Sequence, residues 1–138
     1  MIRAENVSLI YHDHNKKIYA CKNINLTINQ NEFVGILGPS GSGKSSLLYL
    51  MSGLKTPTQG NVQFDNLNLN ELSENQLAHL RKNSFGFVFQ QPFLIGYLTA
   101  IENVIVSISK QNISTEHAMQ LLQQLGLADK INKFPPDL

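Results

Sequence analysis

One short segment, Gly38 to Ser45, limits the folds open to this chain more than any other. It reads glycine, four residues, glycine, lysine and serine, and it lies between the apolar run Phe33–Leu37 and a stretch rich in helix formers, Lys44–Leu54. This pattern between a strand and a helix is that of a phosphate-binding loop. Because glycine makes up about 7% of residues in proteins, a chance match is expected in well under about one chain in a hundred. The sequence therefore predicts an α/β fold.

The residue types of this loop suit the binding of phosphate. Glycines let the backbone curl so that several N–H groups converge on phosphate oxygens, and the helix that begins near Lys44 adds its positive N-terminal end. We expect Lys44 to reach the β- and γ-phosphates and the Ser45 hydroxyl to ligate Mg²⁺. A flexible serine and glycine linker is the alternative, but it has no need of Lys44. The residues expected to bind nucleotide here are Gly38, Pro39, Ser40, Gly41, Ser42, Gly43, Lys44, Ser45 and Ser46.

Composition argues against several other classes of protein. Eleven basic and ten acidic side chains give a net charge of +1, so no long-range field favours nucleic acid, and we expect no nucleic-acid partner. Cys21 is the only cysteine, which excludes an intrachain disulfide and favours a reducing compartment, the cytoplasm. The amino terminus lacks the apolar core of a secretory signal. The most apolar stretch, Phe85–Ile101, contains polar residues that a membrane-spanning helix tolerates poorly.

Hydrophobic periodicity predicts the strands. Alternating apolar residues within residues 1–30 predict an antiparallel pair of half-buried strands, and Val62 with Phe64 predicts a further short one. Phe33–Leu37 and Phe85–Phe89 are nearly continuous apolar runs. Such runs are typical of strands covered on both faces by helices, so both are expected in a parallel sheet.

Three helical regions are predicted. Ser73 with Gln76, and Thr99 with Glu102, have the spacing of capping boxes, and the first of these is expected to open a helix that extends to about Lys82. The helix after the glycine loop is expected to end near Gly53 and to bury Leu47, Leu48, Leu50 and Met51. A third helix should present a buried stripe, ended by Gly126, that consists of Ala118, Leu121, Leu122 and Leu125.

With these motifs in place, the chain resembles the ATP-binding cassette ATPases of the ABC transporter type over essentially its whole length. The loop with its following Ser46-Leu-Leu is typical of that family, and Phe85–Gln90 is similar to the strand that leads into its Q-loop. The resemblance implies that Tyr11 stacks on adenine. It also implies that Gln90 contacts Mg²⁺ and the attacking water, as a catalytic residue beside Lys44. The alternative for Tyr11 is an ordinary aromatic residue of a strand. The alternative for Gln90 is a polar residue that ends a strand.

The last residues, Lys133–Leu138, resemble the approach to the family's signature loop, with Leu138 as its first residue. A Walker B strand is expected to show about four apolar residues followed by aspartate; the nearest candidate, Asp65, lacks both this run and a second carboxylate. The histidines precede the point where the family's switch histidine would come, and they are interpreted as surface or loop residues: His12, His14, His79 and His117. The hydrolytic half of the site is therefore expected to be absent.

The resemblance implies a P-loop NTPase fold, an ABC-type ATPase core with an N-terminal antiparallel β subdomain and the start of the helical subdomain. It is expected to be truncated before the signature loop and Walker B. Residues 1–138 would form a single partial ATP-binding domain. Within it, residues 1–90 would comprise the β subdomain and P-loop core, and residues 91–138 the Q-loop and part of the helical subdomain.

The function implied is that of an ATP-binding subunit, with ATP and Mg²⁺ as cofactors, that couples hydrolysis to transport through a membrane permease. Two such subunits would close head to tail, on the inner face of the cell membrane. Glu71–Arg81 and Leu98–Val104 look most like the lipoprotein-releasing, macrolide-export and cell-division branch. In that branch, Gln91–Leu98 would face the permease, and Phe93, Leu94 and Tyr97 would be exposed there. An ordinary packed loop is the alternative.

Two other functions remain open at this point. The chain could be a noncatalytic fragment that binds nucleotide or permease, because the signature loop, Walker B and switch histidine are expected to be missing. A different P-loop enzyme, such as a small-molecule kinase or a GTPase, would instead prefer guanine over adenine or transfer phosphate to a small acceptor. Hydrolysis that depends on Lys44 would distinguish the ATPase from the noncatalytic fragment.

Overall fold

The structure, a computed structural model, describes residues 1–14, 16–108 and 114–138. These residues form two compact units, Met1–Phe87 and Val88–Leu138, which are described separately. The first unit contains strands β1 (Ile2–Asp13), β2 (Lys16–Ile28), β3 (Gln59–Phe64) and β4 (Leu67–Asn68), with helices α1 (Lys44–Met51) and α2 (Glu74–Ser84). The second contains helices α3 (Ala100–Ile108) and α4 (Thr115–Gln124). No helix within the described ranges is long and apolar enough to cross a membrane.

The sheet of the first unit has the strand order β2-β1-β3-β4, and every neighbouring pair is antiparallel. β1 is the central long strand: its Ile2 lies opposite Ile28 of β2 on one side and Phe64 of β3 on the other. Register shifts interrupt β1 between Ala4 and Ile10, as β-bulges do. The predicted antiparallel pair and the short strand at residues 62–64 are both confirmed.

The core of the first unit lies between this sheet and helices α1 and α2. Leu50 of α1 and Val62 of β3 are fully buried. Leu48, which was predicted to be buried, is instead 55% exposed. A helix buries residues three and four apart on one face, and residues 47, 50 and 51 already occupy that face. The cluster consists of Ala4, Val7, Leu9, Cys21, Leu50, Met51, Val62, Leu69 and Leu77.

Helix α2 is fixed at both ends. Its N-cap Ser73 forms the predicted capping box with Gln76, in which each residue satisfies a backbone N–H of the other. Near its other end, Arg81 donates a 2.7 Å hydrogen bond to the carbonyl of Gly53, just beyond α1. Arg81 thereby satisfies a carbonyl at the end of the helix that follows the glycine loop.

The prediction of two parallel strands, at residues 33–37 and 85–89, is wrong. Residues 33–37 and 85–89 have no strand assignment, and neither run belongs to the four-stranded sheet. Phe33 is 103% exposed and Leu37 is 94% exposed. A strand exists only by pairing with a neighbour, and a parallel pair also needs a long crossover connection between its strands. Among the described residues, no segment forms a parallel strand pair with residues 33–37.

The second unit packs α3 against α4. Ala118 and Leu122 of α4 and Ala100 of α3 are buried, and the amide of Ala100 donates to the carbonyl of Lys133 at 2.8 Å. Leu125, predicted to continue the buried stripe, is 73% exposed. The helix ends at Gln124, so Leu125 is its C-cap and no longer follows the helical period.

Candidate functional site

The predicted phosphate-binding loop is a tight turn that leads directly into α1. Gly38, Gly41 and Gly43 have φ angles of 155°, 78° and 89°, and the amide of Ser42 donates to the carbonyl of Pro39 at 3.2 Å. Gly43 is the N-cap of α1 in the left-handed conformation, which favours glycine. Helical bonding begins at once, because the amide of Leu47 donates to the carbonyl of Gly43 at 2.9 Å.

Strand β2 supports the end of this loop. A Cβ atom added to Gly43 would lie 2.0 Å from the carbonyl oxygen of Ala20, and the Cys21 Sγ lies 3.7 Å from the carbonyl oxygen of Gly43. The glycine is therefore required by a close backbone approach as well as by its φ angle. Burial raises the pKa of the Cys21 thiol, which keeps it protonated and a poor nucleophile at neutral pH.

Lys44 folds back over the loop that precedes it. Its Nζ donates to the carbonyl of Gly38 at 2.9 Å and to that of Pro39 at 2.7 Å. An ammonium group has three protons to donate, so these two bonds leave capacity for a phosphate oxygen. The ammonium group is thereby placed within the curl of the predicted phosphate-binding loop.

The start of α1 differs from the starts of α2 and α4. Ser73 and Ser114 cap those two helices with their side chains, whereas α1 has no side-chain cap. The first N–H groups of a helix have no carbonyl partner within the helix, and an anion is a common substitute for a cap. Ser45 and Ser46 lie in this first turn, and the Ser45 side chain is exposed. The arrangement of uncapped helix, glycine turn and ammonium can bind a polyphosphate.

Tyr11 lies near the end of β1, on the strand next to the one that supports the loop. It pairs with Ile18 of β2, two residues before Ala20, and its side chain is 42% exposed. Lys55 follows α1, and its Nζ lies 4.8 Å from the centroid of the Tyr11 ring. Nothing in the sequence pattern singled out Lys55, because the two residues are 44 positions apart.

The predicted Q-loop residue and the aromatic residues after it lie in the second unit. Gln90 is exposed and occupies a bend. Phe93 is 73% exposed and Tyr97 is 81% exposed, with Leu94 at 46%. The ring of Phe93 contacts that of Phe89 edge-on, with centroids 5.0 Å apart. In this unit the aromatic side chains after Gln90 therefore present most of their area to solvent.

One polar side chain that the sequence reasoning missed holds the end of this loop. Asn103 Oδ1 accepts from the amide of Ile95 at 2.8 Å, and its Nδ2 donates to the carbonyls of Leu98 and Thr99, both at 3.0 Å. Beside it, Glu102 accepts from the amide and hydroxyl of Thr99, which confirms the predicted capping box. These bonds lower the pKa of Glu102.

The magnesium ion expected with ATP would have few protein ligands. The described residues contain no group of three or more His, Cys, Asp or Glu side chains that could hold a metal ion by themselves. A hydroxyl such as that of Ser45 is the hard oxygen ligand that Mg²⁺ accepts, and Mg²⁺ commonly completes its shell with substrate phosphates and water. The residues present thus fit a magnesium ion that arrives with a nucleotide.

Comparison with known proteins agrees with this geometry. The glycine loop, lysine and uncapped helix have the arrangement of a phosphate-binding P-loop. Residues 21–137 match the sequence profile of the family described as ABC transporter. The chain therefore belongs to the ABC transporter family, as the resemblance in the sequence predicted.

Individual relatives support the same assignment. An uncharacterized ABC transporter ATP-binding protein of Methanocaldococcus jannaschii is 43% identical over 142 residues, covering 100% of this chain and 63% of that protein. The lipoprotein-releasing system ATP-binding protein LolD of Wigglesworthia glossinidia brevipalpis is 39% identical and matches 100% of this chain and 62% of its own length.

A solved structure confirms the fold class. The chain superposes with a TM-score of 0.91 and 40% sequence identity on an ATP-binding cassette solved as a dimer in a post-hydrolysis state, bound to ADP and Pi. The match covers 100% of this chain and 63% of that one. The chain thus spans less than two thirds of the length of the relatives it matches.

Proposed function

We propose that this chain is the ATP-binding part of an ABC transporter, which as a whole couples ATP binding and hydrolysis to transport through a membrane permease. The observation that carries the proposal is the Lys44 ammonium group, held inside the Gly38–Gly43 loop at the uncapped start of α1. Positive charge and free N–H groups at one point neutralise and orient the phosphates of a nucleotide. The bound ADP and Pi of the superposed cassette support a nucleotide at this loop.

Each predicted site residue has a role in this proposal. Lys44 contacts the β- and γ-phosphates, and the backbone from Gly38 to Ser46 cradles them. Ser45 and Gln90 ligate Mg²⁺, which neutralises phosphate charge when it is bound. Tyr11 stacks on the adenine, a contact that gains dispersion energy without reading the edge of the base.

The partners in the proposal are a transmembrane permease and a second ATP-binding subunit. The superposed cassette is a dimer, which supports the second ATP-binding subunit. The relative LolD is named as the ATP-binding protein of a lipoprotein-releasing system, which supports the permease. Phe93, Leu94 and Tyr97, exposed in the second unit, form the surface proposed to meet the permease, since exposed aromatic residues are enriched at interfaces. The protein would lie on the cytoplasmic face of the cell membrane.

A second candidate is a noncatalytic fragment that binds nucleotide or permease without hydrolysis. It is favoured by the exposure of Phe33, Leu37 and Val88, which is 94% or more for each. Apolar surface of this kind favours association with another protein surface. A fragment that binds nucleotide would do so at the same loop, and it would then differ from the first candidate in the chemical step alone.

Equilibrium dialysis with labelled ATP tests the proposal. We expect the purified chain to bind ATP more tightly with Mg²⁺ than with EDTA, and ADP to compete. Release of inorganic phosphate, abolished in Lys44→Ala, would support the ATPase; binding without any hydrolysis would support the noncatalytic fragment. A preference for GTP over ATP, or no binding of either nucleotide, would contradict the proposal.

A further inference from the structure

The contact between Tyr11 and Lys55 is a feature of the first unit that the proposed roles leave unexplained. Lys55 Nζ lies 4.8 Å from the centroid of the Tyr11 ring and donates a hydrogen bond to the Tyr11 hydroxyl. Tyr11 nevertheless remains 42% exposed. The ammonium group therefore lies at the hydroxyl end of the ring, while much of the ring stays accessible to another molecule.

The backbone around Lys55 is held between α1 and β1. The amide of Lys55 donates to the carbonyl of Tyr49 in α1 at 3.0 Å. Three residues later, Thr58 donates its amide to the carbonyl of Ser8 at 2.8 Å, and its Oγ1 accepts from the amide of Ile10 at 3.0 Å. The segment 55–58 thus joins the end of the phosphate-loop helix to the strand that carries Tyr11.

We propose that Lys55 is a positioning residue for Tyr11, and that its hydrogen bond to the Tyr11 hydroxyl holds the ring in place for a nucleotide base to stack on it. This inference rests on the proposed function, in which Tyr11 stacks on adenine. An exposed tyrosine loses rotational freedom when a ligand orders it, and that loss weakens binding. A ring whose hydroxyl is already held by a hydrogen bond has less freedom to lose.

The test compares binding of MgATP with binding of magnesium tripolyphosphate, which has the phosphates without the base. In Lys55→Ala we expect affinity for ATP to fall about two- to fivefold, within the range for loss of one hydrogen bond, with affinity for tripolyphosphate unchanged. Lys55→Arg should retain ATP affinity, because a guanidinium group can also donate to the Tyr11 hydroxyl. Lys82→Ala, an exposed lysine in the last turn of α2, is the matched control.

Tyr11→Ala and the double variant with Lys55→Ala separate this inference from the proposed function. We expect Tyr11→Ala to weaken ATP binding about fivefold or more, and Lys55→Ala to have no further effect in that background. If Tyr11→Ala leaves ATP affinity unchanged, the proposed adenine contact fails and this inference fails with it.

If Tyr11→Ala weakens ATP binding but Lys55→Ala leaves it unchanged, the inference about Lys55 alone is overturned. Stronger ATP binding in Lys55→Ala would also overturn it, because the ammonium group would then hinder the base and not position the ring for it. An equal loss of tripolyphosphate affinity would assign Lys55 to the phosphates or to the fold rather than to the Tyr11 ring.

Discussion

Gly43→Ala is expected to lower the free energy of unfolding of the chain by at least about 2 kcal/mol. Two costs combine at this position. The residue has a φ angle of 89°, which a residue with a Cβ adopts only under strain. The new methyl group would also lie 2.0 Å from the carbonyl oxygen of Ala20, and backbone of a paired strand cannot move aside easily. Urea unfolding followed by circular dichroism measures the change.

Gly41→Ala is the matched control. Its φ angle of 78° imposes a similar conformational strain, but a Cβ there meets no heavy atom within 4 Å. We expect a loss of about 1 to 2 kcal/mol, from strain alone. If the two variants were equally destabilised, β2 would not support the loop as the structure shows, and the close approach of Gly43 to Ala20 would be contradicted.

Lys44→Ala is expected to weaken binding of MgATP about 10- to 150-fold, the range for loss of a hydrogen bond to a charged group. The ammonium group already lies inside the loop through its bonds to Gly38 and Pro39, so its position is set before the phosphates arrive. Alanine removes that charge while the glycine turn and the helix remain. Titration calorimetry with MgATP measures the change.

The expected change is in binding rather than in stability. Among the described residues, the Lys44 ammonium group donates only to carbonyls of its own loop. Surface substitutions of this type usually change the free energy of unfolding by less than about 0.5 kcal/mol. Lys82→Ala removes a lysine from α2 and should leave ATP affinity unchanged. Equal affinities of Lys44→Ala and the parent chain would show that the loop does not bind phosphate through this residue.

Local chemistry explains why the loop could be predicted from the sequence. The positive φ angles of its three glycines, the helix that begins at Lys44 and the capping boxes at Ser73 and Thr99 all depend on residues within a few positions of one another. The antiparallel pair β1 and β2 was predictable for the same reason, since the two strands follow each other closely in the sequence. In each case the sequence spacing itself determines which groups meet.

Contacts between distant segments were not predictable in this way. Phe33–Leu37 has the composition of a buried parallel strand, yet composition cannot show which segment pairs with it, and the run is largely exposed. The contact of Lys55 with Tyr11 depends on how Thr58 binds β1. The requirement for glycine at residue 43 depends on the approach of Ala20. The motif predicted the turn but not the strand that supports it.

Nuclear magnetic resonance of the ¹⁵N-labelled chain, titrated with MgATP, tests the proposed nucleotide site most directly. The account predicts that the largest amide shift changes occur from Gly41 to Ser46, where the backbone N–H groups would meet the phosphates, and that Lys44→Ala needs about 10- to 150-fold more MgATP to reach them. Shift changes confined to residues outside this loop and outside Tyr11, or none at saturating MgATP, would contradict it.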